Sequence, residues 1–275
     1  MRRGAIPLFA IMLAGCAQPA HVARGGIVST NPCADAILIE LVEPDRIAAI
    51  SHYSHNPAAS SIAADVARRF PSTAGTAEEV IALDPELVLT SSFTPLATRA
   101  AYERAGLKIL VMNSPTTVEA SKAQIIEVAA ALGATARGKA LNVRIDAAVI
   151  AATQPEREGG STRPSALLYI AGDLVNGSDT LLDELLRKAG FRDAAADYGL
   201  ASTGNLPIET IAARPPRVIM TPDDTSRTAA LRRRVLARTG AATTEAHFPR
   251  NLVNCGGPTI IPALATLAKI RRSLS

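Results

Sequence analysis

The chain has 275 residues, enough for one large core or two ordinary ones. Nearly half of it is hydrophobic (48%) and a fifth is charged (20%), which excludes an extended disordered protein. Aromatics make up only 3%, tryptophan is absent and the net charge is +4. Nucleic-acid binding is therefore disfavoured: Arg232-Arg233-Arg234 is the one dense basic run, no aromatics interleave with it, and it fits a solvated helix face.

The first elements form a targeting segment. Arg2 and Arg3 precede a short apolar stretch over 5–14, too short for a typical membrane span, which ends in Leu13-Ala14-Gly15-Cys16. Small residues in register before a cysteine resemble the bacterial lipobox, so residues 1–16 are expected to be a lipoprotein signal and Cys16 the lipidated residue. A plain signal peptide is the alternative. Residues 17–24 then form a tether. No later segment reaches the roughly 20 apolar residues of a span, so the rest is expected on the outer face of a membrane. Cys33 and Cys255 remain as an even pair. They are open to a disulfide, two buried thiols or a thiolate metal site.

A strand is expected over 27–29, a helix over 33–41 after Thr30-Asn31-Pro32, a strand over 46–51 and a polar loop over 52–60. A short helix, a proline break and a strand over 87–90 follow. A helix over 95–105 and a strand over 107–112 complete the first part. Strands alternating with helices indicate a parallel sheet covered on its faces. Thr116-x-x-Glu119 has the form of a capping box. Helical spacing follows in Ile125, Val128, Ala129 and Leu132, then Gly133 interrupts. A second helix over 135–152 is expected to be about 27 Å long, a stiff strut rather than a linker. A loop over 154–164 opens a second half. It has a strand over 166–170, a helix over 180–189 with Gly190 as its stop, a strand over 218–221, a strand over 242–247 and a closing helix over 260–274.

One phrase occurs twice. Glu79-Val80-Ile81-Ala82-Leu83-Asp84-Pro85-Glu86-Leu87-Val88 returns as Glu209-Thr210-Ile211-Ala212-Ala213-Arg214-Pro215-Pro216-Arg217-Val218. Both copies give a short helix, a proline break and a strand. Two similar α/β lobes would enclose a cleft, where small ligands bind.

Four markers surround the strut: 27–32, the two Glu-x-Ile phrases, and 175–186 with Ala189-Gly190-Phe191. With these the whole mature chain resembles ABC-transporter substrate-binding proteins of the type that carry vitamin B12, ferric siderophores and heme. Residues 51–57, Ser-His-Tyr-Ser-His-Asn-Pro, look most like the vitamin B12-binding members. Those members line their cleft with tryptophans, whereas Ser91, Ser92 and Thr73 stand about where such rings would be expected here. The resemblance implies an α/β fold: two Rossmann-like lobes with central parallel sheets, joined by one long rigid α-helix, with the ligand cleft between them. The expected boundaries are 25–115 for the N-terminal lobe, 116–153 for the helical linker and 154–275 for the C-terminal lobe.

Candidate residues follow. Asn31, His52, Tyr53, His55, Asn254 and Gly256 are expected at the ligand, beyond the carboxyl ends of strands where open α/β sheets bind. Asp173 and Asn176 are weaker candidates. Thr30, Asn31 and Cys33 open a helix whose N–H groups suit an anion or carbonyl, with ordinary capping the alternative. The resemblance implies that Glu79 and Glu209 dock into arginine pockets of a permease dimer, one per lobe. A bridge between Cys33 and Cys255 would restrict opening of the cleft.

The expected function is capture of a metal chelate, corrinoid or ferric, by a monomeric importer component with no cofactor of its own. A divalent-metal receptor using His52 and His55 is the first alternative. A non-transport envelope protein that reuses the fold is the second. Enzyme motifs are absent: neither Ser51/His55 nor Cys33/His52 is more than a chance nucleophile–base pairing.

Overall fold

The computed structural model describes residues 25–153, 163–222 and 227–274. The signal segment, Cys16 and the 17–24 tether lie outside these residues.

The chain opens with β1 (Ile27–Ser29), which runs into α1 (Pro32–Leu41). The Asn31 side chain caps α1 by accepting from the Cys33 N–H at 2.9 Å, and Pro32 occupies the first turn, where no backbone donor is required. There follow β2 (Ile47–Ser51), a 3₁₀ turn at His52–His55, α2 (Ala64–Ala67), β3 (Ser72–Thr73), α3 (Ala77–Ala82), β4 (Leu87–Ser91), α4 (Leu96–Arg104) and β5 (Ile109–Met112). The strands form an all-parallel sheet in the order β3-β2-β1-β4-β5. β1 and β2 are buried along their whole length, which explains their unbroken apolar runs.

Two helices come next, α5 (Val118–Ala131) and α6 (Thr135–Ala152). α5 lies antiparallel against α6, fastened by Lys122 Nζ to Asp146 at 2.6 Å and by Asn142 Nδ2 to the Lys122 carbonyl at 3.1 Å. The cap of α5 is Thr117, which accepts from Ala120 N–H at 3.0 Å, rather than the expected Thr116. Glu119 therefore reaches no capping residue and pairs with Lys122 instead.

The second half contains β6 (Ser165–Ala171), β7 (Leu174–Val175), α7 (Leu181–Lys188), β8 (Arg192–Asp193), β9 (Gly204–Asn205), α8 (Ile208–Ala213), β10 (Val218–Thr221), α9 (Arg227–Arg238), β11 (Thr244–His247) and α10 (Ile260–Arg272). Its sheet runs β11-β10-β6-β7-β9, with β8 also paired to β6. This sheet is mixed, not purely parallel. β7 is antiparallel to β6 because only Gly172-Asp173 separates them, and Gly172 sits at φ 53°. A two-residue connection reverses the chain and cannot make a parallel crossover. The repeated phrase forms equivalent units, α3–β4 and α8–β10, each placing its strand beside the sheet's first one.

α6 packs against α1 on one side and α10 on the other. Ion pairs Arg144–Glu40 (2.7 Å) and Arg137–Glu43 fasten it to the first lobe. Such half-exposed pairs are worth at most about 1 kcal/mol each, so apolar packing carries the junction. One continuous core includes Ile27 and Ile50 from the first sheet, Leu141 and Ile145 from α6, and Ala166 and Met220 from the second sheet. A separate cluster, with Leu167, Tyr169, Ile211 and Ile219, covers the opposite face of the second sheet beneath α8 and α9.

Candidate functional site

The carboxyl ends of the strands in both sheets converge on one cleft. A cavity of about 360 Å³ takes Asn31, Phe93 and Asn113 from the first lobe and Asn176, Leu181 and Asn254 from the second. A neighbouring cavity of about 450 Å³ is lined by Asn31, His52, Tyr53, Gly75 and Phe93. Asn31, Ser91 and Phe93 belong to both. A third, of about 330 Å³, lies between the segment after β2 and the ends of β10 and β11, with Ser54, Pro57, His247 and Arg250 in its walls.

A disulfide between Cys33 and Cys255 closes the floor. The Cα atoms are 5.2 Å apart and the two residues are separated by 222 positions. Cys33 opens α1, which follows the central strand β1, while Cys255 precedes α10. The bridge therefore crosses the middle of the cleft and ties one lobe to the other. The concern that a bridge would restrict opening does not prevent it: the lobes are held, and the cavities lie beside the tie. The nucleophile pairing of Cys33 with His52 is thereby removed.

Gly256 and Gly257 make this junction close. A Cβ on Gly257, at φ 62°, would lie 2.8 Å from Ile37 Cγ1, and one on Gly256 would lie 2.7 Å from Ser121 Oγ. The Gly257 N–H donates to Ser121 Oγ at 2.7 Å, a buried bond from the last segment to α5. Gly256 lines the cleft as expected, but the close approach its lack of a side chain permits is to the protein's own α5.

His52 and Tyr53 stand on the 3₁₀ turn directly after β2. Their rings are 4.0 Å apart at 36°, and His52 Nδ1 is 3.2 Å from the Thr73 carbonyl. Tyr53 is 50% exposed. His55, on the same turn, is exposed but lines none of the three cavities. The turn rests on a residue that pattern reading missed. Asp35, buried in the first turn of α1, accepts from Ser51 N–H at 3.0 Å and Ser54 Oγ at 2.6 Å. Burial outweighs the hydrogen bonds from Ser29, Ser54 and Ser51 and raises its carboxyl to about 7. The same network holds Ser51, whose N–H donates to Asp35 and whose Oγ accepts from Tyr53 N–H at 3.3 Å.

Phe93 was also missed. It is 81% exposed and lines both larger cavities, with Leu96 nearby at 75%. The signal was available: one phenylalanine inside Ser91-Ser92-Phe93-Thr94-Pro95, a turn at a strand's end. Thr73, expected about where a cleft ring would stand, is buried: its hydroxyl donates to Glu79, and its carbonyl lies beside the cavity-lining His52. Asn176 lines the cavity but is held by Thr180 and the Gly177 carbonyl. Asp173 stays in its turn and lines none of the three cavities.

Glu79 and Glu209 occupy equivalent first-turn positions of α3 and α8, exposed on their respective lobes. Glu79 Oε2 also accepts from Thr73 Oγ1 at 2.8 Å and Ala74 N–H at 2.7 Å, which fixes its direction. The basic run departs from expectation. Arg233 and Arg234 face solvent, but Arg232 is only 3% exposed. With Ala229 and Leu236 it lies on the inward face of α9, as the spacing of 229, 232 and 236 requires. No helix among the described residues is long and apolar enough to cross a membrane.

No curated protein matches the chain in sequence. Solved structures do resemble it. The periplasmic heme-binding protein BhuT in complex with two hemes has a TM-score of 0.73 at 24% identity, covering 92% of this chain and all (100%) of that one. The apo periplasmic heme-binding protein RhuT from Roseiflexus sp. RS-1 gives 0.68 at 22%, with 90% and 100% covered. The periplasmic vitamin B12-binding protein BtuF of Vibrio cholerae gives 0.66 at 17%, with 90% and 96% covered. These likenesses establish the two-lobed fold. The profile of the family described as periplasmic binding protein matches residues 27–256, from β1 through both lobes to the bridge across the cleft, and the chain belongs to that family.

Proposed function

We propose that this protein is the cargo-binding component of an ABC importer and that its cargo is a flat, largely apolar metal chelate of the heme or corrinoid kind. The observation that carries the reading is Phe93. An aromatic ring left 81% exposed at the seam of two cavities, with the cavity-lining Tyr53 also exposed, is a surface that a planar ligand would cover. Each Å² so covered contributes about 25 cal/mol. The similarity to structures of two heme binders and a vitamin B12 binder supports the same class.

In this reading Tyr53 and His52 face the chelate's centre, and one of them supplies an axial ligand to its metal. Asn31, Asn254 and the Gly256 backbone meet polar groups at its edge. His55 lies on the turn but outside the cavity walls, and it has a supporting part at most. Glu79 and Glu209 are the two feet on the permease dimer, one on each lobe, and Glu79 is held in a fixed direction by Thr73 and the Ala74 N–H. Cys16 carries the lipid that keeps the exported protein at a membrane in the periplasm. The working units are 25–115, 116–153 and 154–275. Among the described residues no three His, Cys, Asp or Glu side chains come together, so nothing favours the bare-metal alternative. Nothing favours the purely structural one.

The test is a thermal-shift and absorbance titration with heme, cobalamin, a ferric siderophore, zinc and manganese. One chelate should raise the melting temperature and saturate at one site, and Phe93→Ala should weaken it about tenfold, close to 1.4 kcal/mol. A flat response to both heme and cobalamin, including a response to the ferric siderophore or to bare ions alone, overturns the proposal.

A further inference from the structure

One helix of the second lobe carries a charge that its place in the fold does not require. α9 has five arginines and no acidic residue. Its counterpart α4 also joins two neighbouring parallel strands, yet holds two arginines and a glutamate. Ala229, Arg232 and Leu236 mark the inward side of α9. At about 100° per residue, Arg227, Leu231, Arg234 and Arg238 fall within roughly 60° of one another on the opposite side. All four are exposed, Leu231 by 54%. The side chains of Arg234 and Arg238 meet no hydrogen-bond or ion-pair partner among the described residues. They stand about 10 and 16 Å along the axis beyond Arg227, more than the roughly 8 Å over which salt lets exposed charges be felt. They are therefore remote from the helix start, which Asp223 and Asp224 precede outside the described residues. α9 also lies on a defined side of the molecule. Ile27 and Leu89 of the first sheet join the core shared with α6, whereas Val28 and Val88 pack with Val80 of α3 and Tyr102 of α4 on the other face. The second sheet divides in the same way, with α8 and α9 over the face turned from α6. One side of the molecule thus carries Glu79, Glu209 and the arginine stripe.

We propose that the outward stripe of α9 rests on the anionic phospholipid headgroups of a bilayer. Guanidinium groups pair with phosphate oxygens in two-point fashion. A row of arginines without an acid among them suits a negative lipid surface, and Leu231, between Arg227 and Arg234, can enter the headgroup layer. Nucleic acid is the poorer occupant, because α9 has no aromatic ring on which a base could stack. That this side of the molecule faces a membrane rests on the docking reading of Glu79 and Glu209; the stripe itself does not. The contact gives the carrier a third point of support, on lipid rather than on protein, and places it on the second lobe alone.

The experiment is vesicle co-sedimentation of the chain from residue 17, which keeps every described element and lacks Cys16. Vesicles of phosphatidylcholine alone are compared with vesicles holding about 30% phosphatidylglycerol. Binding to the anionic vesicles should exceed binding to the neutral ones and fall steeply as salt rises from about 0.05 to 0.3 M. Arg234→Gln with Arg238→Gln should weaken it about 30-fold. Lys139→Gln with Arg272→Gln removes the same net charge from exposed positions of α6 and α10, away from the stripe, and should weaken it less than about threefold. Melting temperatures check that both double variants fold. Equal binding to the two vesicle types, no binding to the anionic ones at low salt, or equal loss in the two double variants overturns the proposal. Retention on a poly-glutamate matrix without vesicle binding assigns the stripe to an acidic protein segment and equally overturns it. No permease is present in this assay, so vesicle binding that persists while the glutamate pair proves dispensable for uptake removes the docking reading and leaves the lipid contact standing.

Discussion

Removing the Cys33–Cys255 bridge tests how much of this protein's stability lies in the tie across its cleft. The bridge closes a ring spanning 222 positions. In the chain-entropy treatment, opening a ring of that size frees the unfolded chain by about 5 kcal/mol. Total stabilities of domains are about 5–15 kcal/mol, so the loss is large. The double variant Cys33→Ser/Cys255→Ser should still fold, because the Gly257–Ser121 bond and the packing of α10 on α6 do not need the sulfurs. Its melting temperature should fall by roughly 10–20 °C. Calorimetry on three samples provides the assay: the oxidised protein, the protein with a dithiol reductant, and the double variant. The last two should coincide. A double variant melting within about 3 °C of the oxidised protein would refute the entropy reasoning. Two free thiols in the exported protein would refute the bridge itself.

Other outcomes follow from the same geometry. Asp35 is held near 7 in the folded protein against 3.8 for the free group. The folded state therefore keeps its proton where the unfolded chain has lost it. This contribution is full below about pH 4 and is lost as pH rises to about 7, roughly 4 kcal/mol in all. The urea midpoint of the wild type should fall between about pH 4 and pH 7 relative to Asp35→Asn, which lacks the titration. A parallel pH dependence in both proteins would count against it. Gly257→Ala forces a side chain into a left-handed backbone and against Ile37; it should cost about 2–4 kcal/mol by chemical denaturation. Ser121→Ala leaves the buried Gly257 N–H without an acceptor and should cost about 1–3 kcal/mol. Glu79→Ala with Glu209→Ala should leave cargo affinity unchanged while abolishing uptake; normal uptake would remove both residues from docking.

The lobes were legible because their signals are local and repeated. The Glu-x-Ile phrases sit in matching helices, and the strut over 135–152 appears as α6 with the expected ends. What stayed hidden depends on contacts between distant positions. Asp35 looks like any acid in a first helical turn until Ser51 and Ser54 close over it. Arg232 looks solvated inside a basic run, because three adjacent arginines point in three directions and only the packed sheet decides which one is inward. β7 was missed since a two-residue strand has no periodicity to detect. The bridge was one of three readings for an even cysteine pair. Only the approach of α1 to the segment before α10 selects it, and that approach depends on two glycines whose use is invisible without their neighbours.

The position of that bridge also sets a schedule for export. A chain crossing a membrane N-terminus first delivers Cys33 early, and Cys255 only when all but its last 20 or so residues have followed. Throughout that interval the one other cysteine on the far side is Cys16. If Cys16 carries a lipid as proposed, that thiol would be withdrawn from exchange before the correct partner arrives. Anchoring would then precede pairing: the modification proposed to hold the protein to its membrane would also leave Cys33 with one partner to wait for.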